Sequence, residues 1–149
     1  MLTNKNLNMP NGKTHNIITF VVAPVITGVC YFISKDIKTT LFLMSAYFFA
    51  SFMFNGDLDT NSAPYNRWWV FKMIWIPYQL MFNHRSIFTH GFIIGTIIRI
   101  IYIGIIPFVI FYFCADINIL KNINMSLLLL LFVGLESGAM VHIISDKLF

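Results

Sequence analysis

Charge is what this sequence has least of. Only 11% of its 149 residues are Asp, Glu, Lys or Arg, whereas 58% are hydrophobic. Soluble domains carry about 25% charged and about 45–50% apolar residues. The shortfall excludes an ordinary soluble domain and points to the membrane class. Ten bases against six acids leave a net charge of +4. No basic stripe interleaved with exposed aromatics occurs, so nucleic acid is not an expected partner. Cysteine is scarce as well. Cys30 and Cys114 are too few for a disulfide framework or a zinc ribbon, and two buried free thiols are expected, with a disulfide between them as the alternative. No repeat or low-complexity tract divides the chain, so residues 1–149 are read as a single integral membrane domain. No A-x-A-like site follows the first apolar run, and no small residue stands directly before Cys30. That run is therefore expected to be retained.

What is present is apolar sequence in long runs. A bilayer core takes about 20 apolar residues in a helix. Four runs qualify: Ile17 to Ser34, Thr40 to Phe54, Phe92 to Phe113 and Met125 to Ile144. The second is short and can extend back to Ile37. All are expected to be helices, because lipid leaves an open strand unsatisfied. The fold class is thus all-α, with about four transmembrane helices. Asn55 to Gly91, between the second and third spans, is a long connection of the kind that often carries function. Within it WWVFKMIWIPYQLMF (Trp68 to Phe82) sets three tryptophans and a tyrosine around one lysine. That pattern predicts an interfacial helix lying on the bilayer. A re-entrant or core-packed segment is the alternative.

Four spans place both termini and the Asn55–Gly91 connection on one side. That side carries Lys5, Lys13, Arg67, Lys72, Arg85 and Lys147, against Lys35, Lys38 and Lys121 on the other. The positive-inside rule makes it cytoplasmic. The expected location is the bacterial inner (cytoplasmic) membrane, multi-pass, with both termini cytoplasmic.

The polar residues then fall into place. NHRSIFTH (Asn83 to His90) holds half the histidines of the chain within eight residues. His84 and His90 lead into the third span. His15 starts the first, Asp57 and Asp59 end the second, and His142 and Asp146 end the fourth. Neighbouring spans run antiparallel, so all seven residues gather on the same side. His142 and Asp146 are four apart and share a helical face. Asp57-Leu58-Asp59 offers two carboxylates from one short segment. Mixed imidazole and carboxylate ligands suit a divalent metal, zinc foremost, with manganese or iron as alternatives. Seven candidates exceed what one tetrahedral ion needs, which leaves a second ion, an outer shell or a catalytic base to use the rest. For His15 alone the plain reading is a polar helix end, and for Asp57 and Asp59 a solvated turn after Asn55-Gly56. Arg85, beside His84, suits an anionic substrate such as a phosphate ester, or is an ordinary anchor charge.

Two charges lie inside spans. Arg99 is nine residues past His90 and Glu136 is ten before Asp146, which predicts an intramembrane ion pair. Gly91 and Gly95 on the third span, and Gly134 and Gly138 on the fourth, repeat at four residues. Such small-residue faces predict close packing of those two helices against each other.

MPNGKTHN, GDLD, RWWVFKMIWIPYQ, HRSIFTHGFIIGTIIR and GLESGAMVHIISD run in this order along nearly the whole chain. They resemble a bacterial family of small, uncharacterised membrane proteins described as metal-binding. More loosely, the N-terminal histidine, the D-x-D, the histidine–arginine segment and the late H-x-x-x-D are similar to the LexA-binding, inner-membrane-associated hydrolases. Those are described as membrane-bound and metal-dependent. The resemblance implies His15, Asp57, Asp59, His84, His90, His142 and Asp146 as a polar metal-binding core.

Three functions remain open. The first is a metal-dependent hydrolase at the cytoplasmic face, acting on a membrane lipid or a lipid-linked phosphoester or ester. Asp59 or Asp146 would handle the proton and Arg85 would bind phosphate. The second is a non-enzymatic structural or sensor protein with a closed metal site. The third is an ion transporter, which would need polar residues near the bilayer midplane, where only Arg99 and Glu136 lie.

Overall fold

The computed structural model describes residues 12–114 and 124–148. Among them there are helices and no strand. α1 (Gly12–Ser34) and α2 (Ile37–Met53) form a helical hairpin. Its corner is tight. Lys35 takes a positive φ of 51°, and the Asp36 carboxylate caps α2 by accepting from the Thr39 amide (2.8 Å) and hydroxyl (2.7 Å). α7 (Met125–Leu148) packs along α2. Three helices are long and apolar enough to cross a membrane: α1, α2 with the turn that follows it, and α7. α6 (Ile94–Cys114) is a fourth apolar helix, with Arg99 as its one charge.

Gly134 and Gly138 do mark a close approach, but not the expected one. A Cβ on Gly134 would lie 2.6 Å from the Ala46 Cβ and 2.7 Å from the Leu43 carbonyl oxygen. One on Gly138 would strike the Tyr47 carbonyl and come within 2.9 Å of the Ala50 Cβ. The glycine face of α7 therefore seats on α2, not on α6. On α2 the matching residues are small, Ala46 and Ala50, so the two backbones meet with no side chain between them.

The connection from Asn55 to Gly91 is structured throughout. It holds a 3-10 turn (Gly56–Asp59), α3 (Ala63–Arg67), a 3-10 stretch (Trp69–Trp75), α4 (Ile76–Met81) and α5 (Ile87–His90). The tryptophan-rich segment is thus two short elements, not one helix. Its two expectations divide between its faces. Trp75 and Tyr78 are fully buried, packed with Phe54 and Tyr102. Trp69, Val70, Phe71, Met73, Leu80 and Met81 are exposed. Trp68 Nε1 donates to the Met53 carbonyl (2.8 Å), and Gln79 Nε2 donates to the carbonyls of Leu58 and Thr60 (both 3.0 Å). The segment thereby braces the turn that bears Asp57 and Asp59.

Arg99 and Glu136 do not pair. Arg99 Nη1 donates to the Thr89 carbonyl (2.7 Å) and Nη2 to Thr96 Oγ1 (2.9 Å). Glu136 Oε1 accepts from the Ile93 amide (2.9 Å). Both side chains reach the chain around His90, but each is taken by a backbone group there, Glu136 by the Ile93 amide and Arg99 by the Thr89 carbonyl. Cys30 is a free, half-buried thiol, and the side chain of Cys114 lies outside the described residues.

Candidate metal centre

Five elements deliver polar side chains to one end of the bundle. α1 brings His15 from its first turn. The 3-10 turn after α2 brings Asp57 and Asp59, and Asn55 Oδ1 caps that turn by accepting from the Asp57 amide (3.2 Å). The chain before α5 brings His84, α5 brings His90, and the last turns of α7 bring His142 and Asp146.

Asp57, His90, His142 and Asp146 each place one ligand atom within 4.8 Å of all the others. Four atoms at tetrahedral corners, about 2.0–2.2 Å from an ion, stand about 3.4 Å from one another. Four histidine–carboxylate distances lie between 3.3 and 3.9 Å, with Asp57 meeting His90 through Oδ1 and His142 through Oδ2. His90 Nε2 is 3.4 Å from Asp57 Oδ1 and 3.9 Å from Asp146 Oδ2. His142 Nε2 is 3.3 Å from Asp57 Oδ2 and 3.4 Å from Asp146 Oδ2. These contacts are too long or too poorly aligned to be hydrogen bonds. His90 Nε2, His142 Nε2 and Asp146 Oδ2 accordingly stay buried without a hydrogen-bond partner. Buried polar atoms are almost always paired. Three orphans aimed at one point fit a divalent cation.

The other three residues surround this set. Asp59, whose side chain is wholly buried, accepts from His84 Nδ1 (2.8 Å) and from the Arg85 amide (3.1 Å), and lies 3.5 Å from His90 Nδ1. Thr89 Oγ1, which donates to the Ser86 carbonyl (3.2 Å), takes a hydrogen bond from His90 Nδ1 (3.0 Å). With Nδ1 so engaged, Nε2 is the nitrogen left for a metal. His15 Nε2 is 3.2 Å from Asp146 Oδ1, and its ring lies 4.6 Å from that of His142. Without a metal, burial by itself would lower the pKa of His90. Asp57 and Asp59 outweigh burial and raise it to about 9.

The structure therefore brings all seven expected residues together and divides them into an inner four and an outer three. It also shows partners that the sequence reading missed. Thr89 sits next to His90 in the same histidine-rich stretch, and that adjacency was its signal. Gly56 is the second: a Cβ there would lie 2.8 Å from the His90 ring. Its signal was its place beside Asp57.

A cleft of about 450 Å³ opens onto the cluster, lined by His15, Asp57, His142 and Asp146 on the inside and by Arg67, His84 and Arg85 further out. Arg85 has a positive φ of 59°, a costly conformation for a non-glycine residue, held by the hydrogen bond its backbone N–H donates to Asp59 Oδ2. Among the described residues its guanidinium makes no hydrogen bond or ion pair.

The chain belongs to the family described as "Uncharacterized metal-binding protein (DUF2227)", which matches residues 10–149. It is also similar to an uncharacterized protein of Aquifex aeolicus (strain VF5), with 34% identity over 58 residues. That alignment spans 38% of this chain and 40% of the relative's length. No solved structure matches. Metal binding is thus what the family's description states, and the four-residue cluster is a candidate site for it in this chain.

Proposed function

We propose that this is a membrane-embedded, metal-dependent hydrolase that acts on a lipid or lipid-linked phosphoester at the cytoplasmic face of the bacterial inner membrane. One observation carries the reading. Three of the four candidate ligands, Asp57, His142 and Asp146, line a cleft that is also lined by Arg67 and Arg85. A bound divalent ion, zinc foremost with manganese or iron as alternatives, would supply Lewis acidity and activate water.

The chain's own residues have distinct work in this scheme. Asp57, His90, His142 and Asp146 hold the ion. Asp59 has both oxygens occupied, so its part is to orient His84 and His90 rather than to take a proton. His84 is the better proton acceptor. Its Nδ1–H is fixed on Asp59, 40% of its side chain is exposed, and it lines the cleft. His15 holds Asp146 in place. Arg85 and Arg67 attract a phosphate.

The membrane setting rests on α1, α2, α6 and α7 as four spans. The apolar side chains exposed on them support it, as do the exposed Trp69, Phe71, Met73, Leu80 and Met81 beside the cleft, which would enter the lipid interface. Arg67, Lys72, Arg85 and Lys147 cluster at that end, in keeping with a cytoplasmic side and cytoplasmic termini. The looser likeness to the LexA-binding, inner-membrane-associated hydrolases agrees with the reaction class.

Ligand count favours a second reading. Two histidines and two carboxylates already complete a tetrahedral set, as in a closed structural or sensor site. The test is hydrolysis of phosphoester and lipid ester substrates by zinc- or manganese-loaded protein in detergent. The hydrolase reading expects turnover that His84→Ala cuts at least 100-fold while metal content stays at the parental value. No turnover across the panel by fully loaded protein would leave the closed site as the account.

A further inference from the structure

Two buried charges inside the bundle have no ion pair among the described residues. Arg99 is 0% exposed and Glu136 is 7% exposed. Charges at such depth are costly and are kept where they do something specific. What they hold is one short piece of chain. Arg99 Nη1 binds the carbonyl of Thr89, and Glu136 Oε1 binds the amide of Ile93. Between those two points lie His90, Gly91 and Phe92. Ile93 itself has a φ of 63°, a conformation a β-branched residue rarely adopts. Something must hold it there, and the Glu136 carboxylate is bonded to its amide.

We propose that Arg99 and Glu136 are positioning residues for the metal ligand His90, clamping the two ends of the turn that carries it. The inference rests on the metal-centre reading. Arg99 fixes the Thr89 backbone, and the Thr89 hydroxyl in turn fixes His90 Nδ1. Glu136 lies on α7 six residues before His142, so it ties the His90 turn to the helix that supplies two other ligands. This accounts for why each charge holds a backbone group of this turn and not the other charge, with Arg99 Nη2 steadied on Thr96 Oγ1. A charged donor on Thr89 and a charged acceptor on Ile93 make strong, directional bonds in a dry interior.

The experiment uses the full chain in detergent, with Arg99→Leu, Glu136→Leu and Glu136→Gln. Helicity and monodispersity establish which variants fold. Zinc affinity is read by competition with a chromogenic chelator. The ring signals of the four histidines are read by NMR on metal-free, histidine-labelled protein, with His90→Ala assigning His90. The inference expects a tenfold or greater loss of affinity in both leucine variants. It expects Glu136→Gln, which keeps an acceptor for the Ile93 amide, to recover most of that loss. In the metal-free protein the His90 signals should shift in the leucine variants while those of His15 stay. If Arg99→Leu does not fold, Gly95→Ala replaces it, because its Cβ would sit 2.7 Å from the Thr89 carbonyl oxygen and 3.3 Å from Arg99 Nη1. Folded variants with parental affinity and unmoved His90 signals would overturn the inference and leave the metal centre standing. A parent that binds no zinc would sink the metal centre instead, and the His90 signals alone would then decide the clamp.

Discussion

At the scale of single residues, the candidate centre depends on where His90 points, and Gly56 leaves the space for its ring. Gly56→Ala would put a methyl group 2.8 Å from the imidazole, and His90 must swing away. Zinc affinity is expected to fall about tenfold or more, as when a ligand's support is removed. Gly28→Ala, with nothing within 4 Å, is the control and should bind as the parent does. His90 also sets a pH dependence. Its pKa is raised to about 9 in the metal-free fold, against about 6.5 in an unfolded chain. The stability this contributes is fully present below about pH 6.5 and is lost as pH rises through about 9. Chelator-treated protein should therefore melt lower at pH 9.5 than at pH 6, by on the order of 5 °C. Zinc-loaded protein should show the opposite slope, because protons compete with the metal for the same nitrogen. Parallel slopes in the two states would contradict the assignment of His90. That the seven residues converge was legible in the sequence, because antiparallel spans return their ends to one side. Their division into ligands and supports was not. It depends on side-chain rotamers and on Thr89 and Asp59 competing for one ring nitrogen, neither of which has a spacing signature.

At the scale of elements, the α2–α7 seam is the structural spine, and it is built of glycine against alanine. Gly138→Ala would press a methyl group against the Tyr47 carbonyl and the Ala50 Cβ. Overpacking of this kind costs about 1–3 kcal/mol. A lower melting temperature in detergent is the expected readout. Gly104→Ala, with open space around it, should be neutral or stabilising by about 0.5–1 kcal/mol. Equal melting temperatures for the two variants would count against the seam. The four-residue glycine spacing was readable, and so were the helices themselves, since apolar runs of this length have few alternatives. The partner was not readable. A small-residue face states that something comes close, and only the packing shows that it is α2 rather than α6. The same gap misled the expectation for Arg99 and Glu136. Both reach the turn that carries His90, but each is taken by a backbone group there and not by the other. The tryptophan-rich segment failed as one helix for a related reason: its rings serve two masters, with Trp75 and Tyr78 in the core and Trp69 and Phe71 outside it.

At the scale of the whole molecule, the account places the cleft and its basic rim on the cytoplasmic side of a membrane. In a background with Cys30 and Cys114 replaced by serine, a membrane-impermeant maleimide applied to intact cells should label Lys38→Cys, at the α1–α2 corner. It should not label Lys147→Cys, at the end of α7, until the cells are opened. The reverse pattern would invert the topology. The central claim is simpler and comes first. It is that Asp57, His90, His142 and Asp146 hold a divalent ion. The most direct test is elemental analysis by mass spectrometry of the detergent-purified protein beside His90→Ala and His142→Ala. The account predicts about one equivalent of zinc, manganese or iron in the parent, lost in both variants while they remain helical. A folded parent free of metal, or variants that retain the full equivalent, would contradict it.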